Sequence, residues 1–589
     1  MSRLSWFVLP VALLAACTAQ KDGDTGAEDT AGGNTDSAAD TDTASDLAPV
    51  LHCGTIEADE TWAAADLHRV TCDVKVLQGT LTIEAGAHVE LADGDGIEVG
   101  DGEVEAGIVI DGTADAPVLL TAVADAGDGT RWGGLSIKPN ATTARLSHVQ
   151  LVDGGSDRTA GVYVEGATVT VEGLSIDGAE LCGLKLTEGG MLAAGAKDIV
   201  VTNSGGAGVC AGVGQVHTVP AEGSAYTGNL YDQVNVSGNT LRESVTWQDL
   251  GVPYAVLDSF EVGNTAESPA ILTLASGVEV RMGDRTSVGF SADGGASALI
   301  AEDVTFTALG APAAGSWKGI DLGRGTLPES RLVNVHVEYA GGDDQPAALR
   351  IADSAVLLQG VTVTGSETVG IRVDGSGQLA AGSGDLTVTG CAVPFSLVPN
   401  AVGSLPATMD LSGNDEDVIF LTGEGEVSLS ATWGAFAWDY RIDTNIAVQG
   451  TADDPAILTI EAGAVLRFQN ERRMLIGDDG AGALAAIGTA DAPVRFIAYD
   501  AYVAGAWAGI GFYGNTLDAD SVLDNVEVGW AGGLRLDANV SIINASPTVV
   551  NSYVHDSVEW GVTTDCSDTV PTGMTYAGNV NGDEQLTPC

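Results

Sequence analysis

Basic side chains, aromatic rings and helical periodicity are all scarce in this sequence. Lys and Arg number 24 against 81 Asp and Glu, a formal net charge of −57. Contact with a phosphate backbone needs clustered cations, so this balance argues against nucleic acid and anionic lipid as partners. Aromatics are 5% of 589 residues while glycine takes 79 positions, a composition that favours repetition over a conventional globular core. No G-x-S-x-G, H-E-x-x-H, phosphate loop or paired C-x-x-C occurs, and the seven histidines are scattered. The corresponding hydrolase, metallopeptidase, nucleotide-binding and zinc signatures are therefore missing.

What is present begins with "MSRLSWFVLPVALLAAC". Arg3, an apolar run over Leu4–Leu14 and small residues before Cys17 make a secretory signal, too short for a permanent membrane span. "LAAC" (Leu14 to Cys17) resembles the lipobox of bacterial lipoproteins. That resemblance implies a signal peptide over 1–16, a diacylglyceryl thioether on Cys17 and, with uncharged Thr18 following, outer-membrane sorting with surface exposure as a further inference. Residues 21–46 carry eight acids, one lysine and no large apolar side chain. Such a stretch cannot bury enough surface to offset ordering, so 17–50 is expected to be a self-repelling, disordered tether.

Eight cysteines less Cys17 leave seven, in an exported chain where disulfides persist. Pairing is not fixed by sequence. Position suggests that Cys53 and Cys72 staple the start of the ordered region and Cys566 and Cys589 its end. Cys182 and Cys210 form a third bridge or remain two buried thiols, and Cys391 is left over.

The dominant feature is internal repetition. "TW" recurs at 61–62, 246–247 and 432–433, separations of 185 and 186 residues. Each copy is followed by "LTIEAGAHVEL", "LTLASGVEVRM" or "LTIEAGAVLRF". "GTADAPVLLTA" (112–122) matches "GTADAPVRFIA" (488–498), where the middle copy has the divergent "AEDVTFTA". Next come "RWGGLSI" (131–137), "SWKGIDL" (316–322) and "AWAGIGF" (506–512), and then "ARLSHVQLVDGG", "SRLVNVHVEYAGG" and "SVLDNVEVGWAGG". Three tandem cassettes of about 185 to 190 residues result, the last truncated, with expected bounds 51–242, 243–429 and 430–589, the third ending in a C-terminal cap. Candidate joints lie at 225–257 and 401–433.

Inside a cassette, "GVYV" (161–164), "GLKL" (183–186) and "GVCA" (208–211) start 22 and 25 residues apart, each with apolar side chains at alternate positions. Short alternating strands between Gly, Asn, Asp and Ser turns predict an all-β chain, and a 20- to 25-residue period is one coil of a β-solenoid. The cassette resembles that of bacterial right-handed parallel β-helix repeat surface proteins over about residues 55–565. The resemblance implies that fold and says little of function. It predicts roughly 23 coils stacked about 4.8 Å apart, on the order of 110 Å if all stack continuously. In that fold Leu135, Ile137, Ile320, Leu322, Ile510 and Phe512 point inward. Gly134, Gly319 and Gly509 permit bends, and Trp132, Trp317 and Trp507 cover apolar surface at a corner; the rival reading makes these indoles sugar-stacking platforms.

No catalytic residue is assigned. Outward positions differ between cassettes: Gln150, His336 and Glu527 share one slot, His148, Asn334 and Asn525 another. His336 with Glu338 and Tyr339 is the most enzyme-like cluster, though a surface ladder is the favoured explanation of it. "GNVNGDEQ" (578–585) resembles half of a dockerin-type calcium loop but lacks the glycine after Asp583. No cofactor is expected and no metal ligand is assigned; Ca²⁺ in acidic turns is a candidate, though "DGDG" (93–96) and "DDG" (478–480) read in the first place as plain acidic turns. The expected function is that of a lipid-anchored protein of the bacterial outer membrane, non-enzymatic, serving adhesion, glycan contact or envelope scaffolding. Its expected partners are the membrane, through the anchor, and polysaccharide or a surface protein. The rival is a surface polysaccharide lyase or glycoside hydrolase working in one groove.

Overall fold

The computed structural model describes residues 48–123, 129–156, 160–290, 295–343, 346–534 and 536–589. The expected signal peptide, Cys17 and the tether up to residue 47 lie outside them.

Alternation of apolar and polar residues sets the architecture. In Gly134–Ile137, Leu135 and Ile137 are buried while Ser136 between them is not. Their parallel partners are Val162 and Val164, then Leu184 and Leu186, then Val209 and Ala211, then Val234 and Val236. Each inward side chain thus rests on another in the same slot of the next coil, and each such Val, Leu or Ile contributes about 1.5–3 kcal/mol through burial. The chain is 51% strand and 2% helix, and its long ladders pair in parallel throughout. It is an all-β, right-handed parallel β-helix.

Coil length is less regular than the sequence suggests. Tyr163 and Lys185 are stacked neighbours 22 residues apart, but Ile97 and Leu135 are 38 apart and Arg467 and Ile497 are 30 apart. Loops inserted at corners add residues without changing the stacking, which is why a short period read from three strands underestimates the mean. Both candidate joints are crossed by continuous pairing: Cys210, Asn235, Ala255 and Arg281 at the first, Ser396, Phe420 and Arg441 at the second. One buried apolar cluster runs from Ile56 to Val562.

Corners use left-handed backbone. One column holds Asp303, Asn334, Gly360 and Asp385, with φ of 53°, 52°, 65° and 53°. His148 (φ 45°) and Asn525 (φ 50°) take the same corner in their own cassettes. The slot shared by His148, Asn334 and Asn525 stays accessible to solvent, as expected, and is in addition a turning point of the chain. Asn and Asp tolerate this conformation because their short polar chains bond locally, as Asn334 does by donating Nδ2 to Asp303 Oδ1 at 3.0 Å. A second corner holds Asp153, Tyr339 and Trp530 (φ 54°, 62° and 63°).

The tryptophan phrase braces that second corner. Trp132, Trp317 and Trp507 are fully buried. Their indole N–H groups donate to Val152 O (2.8 Å), Glu338 O (2.7 Å) and Gly529 O (2.9 Å), each the residue before the left-handed one. They are core brackets and offer no platform to a sugar. Gly319 (φ 135°) and Gly509 (φ 118°) fit where the chain then passes close to its neighbour: a Cβ on Gly319 would lie 2.6 Å from Ala348 O.

A second bracket escaped the sequence reading. Trp62, Trp247 and Trp433 of the "TW" repeat are buried, each with a ring six or seven residues on that bonds the carbonyl after the tryptophan. Tyr254 donates its hydroxyl to Gln248 O (2.6 Å) and Tyr440 to Gly434 O (2.8 Å), while His68 Nε2 lies 3.0 Å from Ala63 O. Disulfides join Cys53 to Cys72, Cys182 to Cys210 and Cys566 to Cys589. Cys391 is free and buried, and burial pushes its thiol pKa up.

Two outcomes follow from this packing. Gly319→Ala should lower the thermal unfolding midpoint, reflecting about 1–3 kcal/mol of local strain, whereas Gly310→Ala, where an added methyl meets nothing within 4 Å, should leave it unchanged. Peptide mapping after alkylation should find Cys391 unmodified in the native protein and labelled in denaturant; prompt native labelling would contradict its burial.

Candidate functional site

The enzyme-like cluster expected around His336 does not converge. His336 is exposed and pairs in the ladder with Thr305 and Thr362. Glu338 accepts a hydrogen bond from Thr307 Oγ1 at 2.9 Å, and Tyr339 is turned onto the core at its corner. Gln150 is exposed, with Leu119 and Ser175 as its ladder neighbours. Of the three residues in that slot, only Glu527 belongs to a polar constellation.

That constellation begins at the end of the second cassette and continues through the third, on one face built from the strands Ile419–Leu421, Tyr440–Ile442, Val465–Phe468, Val494–Ala498, Val526–Gly529 and Tyr553–His555. Alternation sends Leu466 and Phe468 into the core and leaves Arg467 outward. The same rule exposes Phe420 and Arg441 on the two preceding coils. The loop between Val494–Ala498 and Gly509–Phe512 adds Tyr499, Asp500 and Tyr502 beside them. A cleft of about 450 Å³ results, lined by Asp417, Trp438, Asp439, Arg467, Tyr499 and Tyr502 among others. A second of about 290 Å³ shares Tyr499 and Asp500.

The two arginines at the cleft, Arg441 and Arg467, are paired with carboxylates, while Asp417 and Asp500 add acidic groups to its lining. Arg441 donates to Glu416, which also accepts the Tyr499 hydroxyl at 2.6 Å. The guanidinium lies over the Phe420 ring at 4.6 Å and the Tyr499 ring at 4.9 Å. Arg467 donates to Asp439 and, at 2.9 Å, to the Tyr502 hydroxyl. The bond from Tyr499, ahead of the Arg441 contact, holds the Glu416 carboxyl below its ordinary pKa despite partial burial. Burial and the Glu416 contact push Tyr499 up to about 12. Burial acts to lower Arg467, but the bonds and charges of Asp439 and Tyr502 together outweigh it and raise the pKa above the usual value.

Aromatic contacts carry the face further. Tyr502, 55% exposed, leans on Trp530 with ring centres 4.7 Å apart, and Trp530 meets His555 edge-on at 4.6 Å. His555 is itself buried, stacked on Tyr553 at 4.4 Å and set between Asp556 (2.8 Å from Nδ1) and Glu527 (3.3 Å from Nε2). Arg495 holds the other oxygen of Glu527 at 3.1 Å. A bulky aromatic at φ 63°, as at Trp530, is strained backbone of the kind that persists where position matters.

The sequence signal for this face was the aromatic content of "WDYRI", "FIAYDAYV" and "VGWAGG" within a chain poor in rings; only the register shows that they converge. Elsewhere, a groove of about 790 Å³ beside Gln378–Ser383 and Leu429–Thr432 carries no charge. Its Ser383, Ser404 and Ser430 hydroxyls are already bonded to backbone. No group of three or more His, Cys, Asp or Glu among the described residues is arranged to hold a metal. In the acidic turns, Asp93 accepts from the Arg131 amide, and the Asp479 amide donates to Gln449. The calcium-loop-like "GNVNGDEQ" forms part of the last coil, where Asn579 accepts from Ser557 N and Gly582–Thr587 pairs with Trp560–Asp565.

Burial acts to lower the His555 pKa, but the bonds and charges of Glu527 and Asp556 outweigh it and raise it above 6.5. Protonation at this site therefore stabilises the fold fully below about pH 6.5, and the contribution disappears as pH rises through the raised value. Parallel thermal melts should show the gap in midpoint between the wild type and His555→Gln narrowing from about pH 6 to about pH 9; a gap that widens would contradict the arrangement.

Neither the curated proteins nor the solved structures include a match to this chain. Residues 54–165, in the first cassette and away from the aromatic face, match the family model of the pectate-lyase-like β-helix domain, and with the parallel ladders this makes the chain a β-helix repeat protein.

Proposed function

We propose that this is a lipid-anchored protein of the bacterial cell envelope that binds polysaccharide without cleaving it, serving adhesion or glycan contact. The observation that carries the binding role is the cleft in which Trp438, Tyr499 and Tyr502 stand beside the Arg441–Glu416 and Arg467–Asp439 pairs. Rings pack on the C–H faces of sugars, while paired cations and carboxylates bond their hydroxyls, and both must be present at one place for selective retention. The pectate-lyase-like match agrees with a polysaccharide-related role. The anchor rests on the lipobox resemblance around Cys17, and display beyond the membrane on the acidic stretch that follows it.

Cleavage is disfavoured by proton chemistry. A glycosidic general acid needs a carboxyl held protonated near neutral pH, yet Glu416 and Glu527 are both shifted down. Elimination needs a base that releases its proton, and Arg467 is shifted the other way. The enzyme reading is favoured by two carboxyls away from the cleft: burial, with the charges of Asp73 and Asp93 after it, raises the Asp95 pKa, and Glu261 is raised as well. The Glu261 carboxyl occupies the space above Gly289, one coil from Asp321, and burial there followed by the charge of Asp321 raises its pKa.

The deciding experiment incubates full-length protein with neutral and acidic polysaccharides, with Ca²⁺ present, and follows retention and polymer length together. Retention with unchanged length is expected, weakened about three- to tenfold by Tyr502→Ala, in keeping with ~0.5–1.5 kcal/mol for an aromatic contact. Shortening that disappears in Glu261→Gln would establish the enzyme reading instead. Labelled palmitate should be incorporated by the wild type and not by Cys17→Ala; retention of label would sink the anchor.

A further inference from the structure

Outward residues of successive coils can be followed through the pairings from the second cassette into the third. The column reads Asp321, Arg350, Arg372, Ser396, Phe420, Arg441, Arg467, in which Ser396 keeps the outward register but is itself covered from solvent. Four arginines within six consecutive coils is a concentration of cations in a chain that has only 24 Lys and Arg against 81 acids. Every one of them is matched. Arg350 bonds Asp321 at 3.0 Å and Asp374 at 2.9 Å, Arg372 bonds the same Asp374 at 2.8 Å, Arg441 bonds Glu416 and Arg467 bonds Asp439. Four guanidinium groups face four carboxylates, so the stripe is locally neutral on a strongly negative body.

This arrangement selects among ligands. A carboxylated or sulfated polymer binds tightly where guanidinium groups are free to take it in a fork, and here the forks are occupied. The surrounding charge of −57 repels it as well. Uncharged sugars meet the opposite situation. Each hydroxyl both donates and accepts, so vicinal hydroxyls can bridge a carboxylate and the guanidinium beside it without separating the pair. Coils advance by about 4.7–4.9 Å, comparable with the advance of one pyranose unit in an extended chain. The partly exposed Phe420, flanked by Arg441, supplies a ring midway along the column.

Resting on the glycan-binding reading above, we infer that the ligand is an uncharged polysaccharide lying along the stacking direction. It runs from the cleft at Arg467 across the junction of the second and third cassettes to Arg350, five coil steps or roughly 24 Å away. Specificity for a neutral chain follows from the pairing of the arginines, and length dependence follows from the column.

Calorimetric titration of the full-length protein tests this with three probes: a linear mixed-linkage β-glucan, its trisaccharide, and polygalacturonate. The glucan should bind with an affinity that changes less than about twofold between about 50 mM and about 500 mM salt, and polygalacturonate should bind more weakly or not at all. Arg372→Ala, remote from the cleft and checked for fold by circular dichroism, should weaken the long glucan about tenfold, equivalent to one hydrogen-bonded charged group, while leaving the trisaccharide unchanged. Preference for polygalacturonate, lost at high salt, would overturn the neutral-ligand inference while leaving glycan binding intact. Equal glucan affinity in wild type and Arg372→Ala would overturn the column. Failure of all three probes would remove the glycan-binding reading along with the inference built on it.

Discussion

Everything in this molecule depends on the vertical registry of identical slots. In a parallel β-helix the backbone hydrogen bonds run along the stacking direction, so a residue's fate is decided by what stands directly above and below it. Inward slots are apolar in most coils, as the run Leu135, Val162, Leu184, Val209, Val234 illustrates, because burying a polar atom away from water costs free energy. An outward slot is free to vary, but variation is read as a column rather than as a point. Arginine at one position therefore acquires meaning from the residues one coil away.

Corners are the second demand, and they explain the composition. A coil that turns sharply needs left-handed residues at fixed points, and the chain meets that need with Gly, Asn and Asp. Much of the glycine count and part of the acidity are therefore consequences of geometry rather than of any ligand. The exceptions are instructive. Tyr339 and Trp530 accept a strained conformation where Asp153 serves in the first cassette. At Trp530 the result is a ring placed between Tyr502 and His555.

The fold was legible because repetition amplifies weak local signals: three tryptophan phrases, three "TW" pairs and alternating strands all point one way. Cassette-to-cassette comparison also located Gly319 and the inward pair Ile320 and Leu322. It missed the bracket between Trp247 and Tyr254 because the first cassette supplies His68 in that role, a different residue making the same bond. It placed His148 and Asn334 outward, where they are, but not at a corner, because alternation within a strand does not reveal where φ reverses. The aromatic cleft was hidden for a different reason. Glu416 and Tyr499 are 83 residues apart, and their contact depends on coil lengths that vary from one turn to the next.

The pairing that crosses both cassette junctions bears on how such a chain changes over time. At each seam the last coil of one cassette presents the same type of ladder edge that the first coil of the next expects, as Ser396, Phe420 and Arg441 do. A duplication or deletion of one whole cassette would restore a matching edge on both sides, whereas a cut within a coil would leave inward slots facing polar ones. Length can therefore be gained or lost in quanta of about seven or eight coils, which makes the extent of the β-helix a trait adjustable by recombination without repacking the interior.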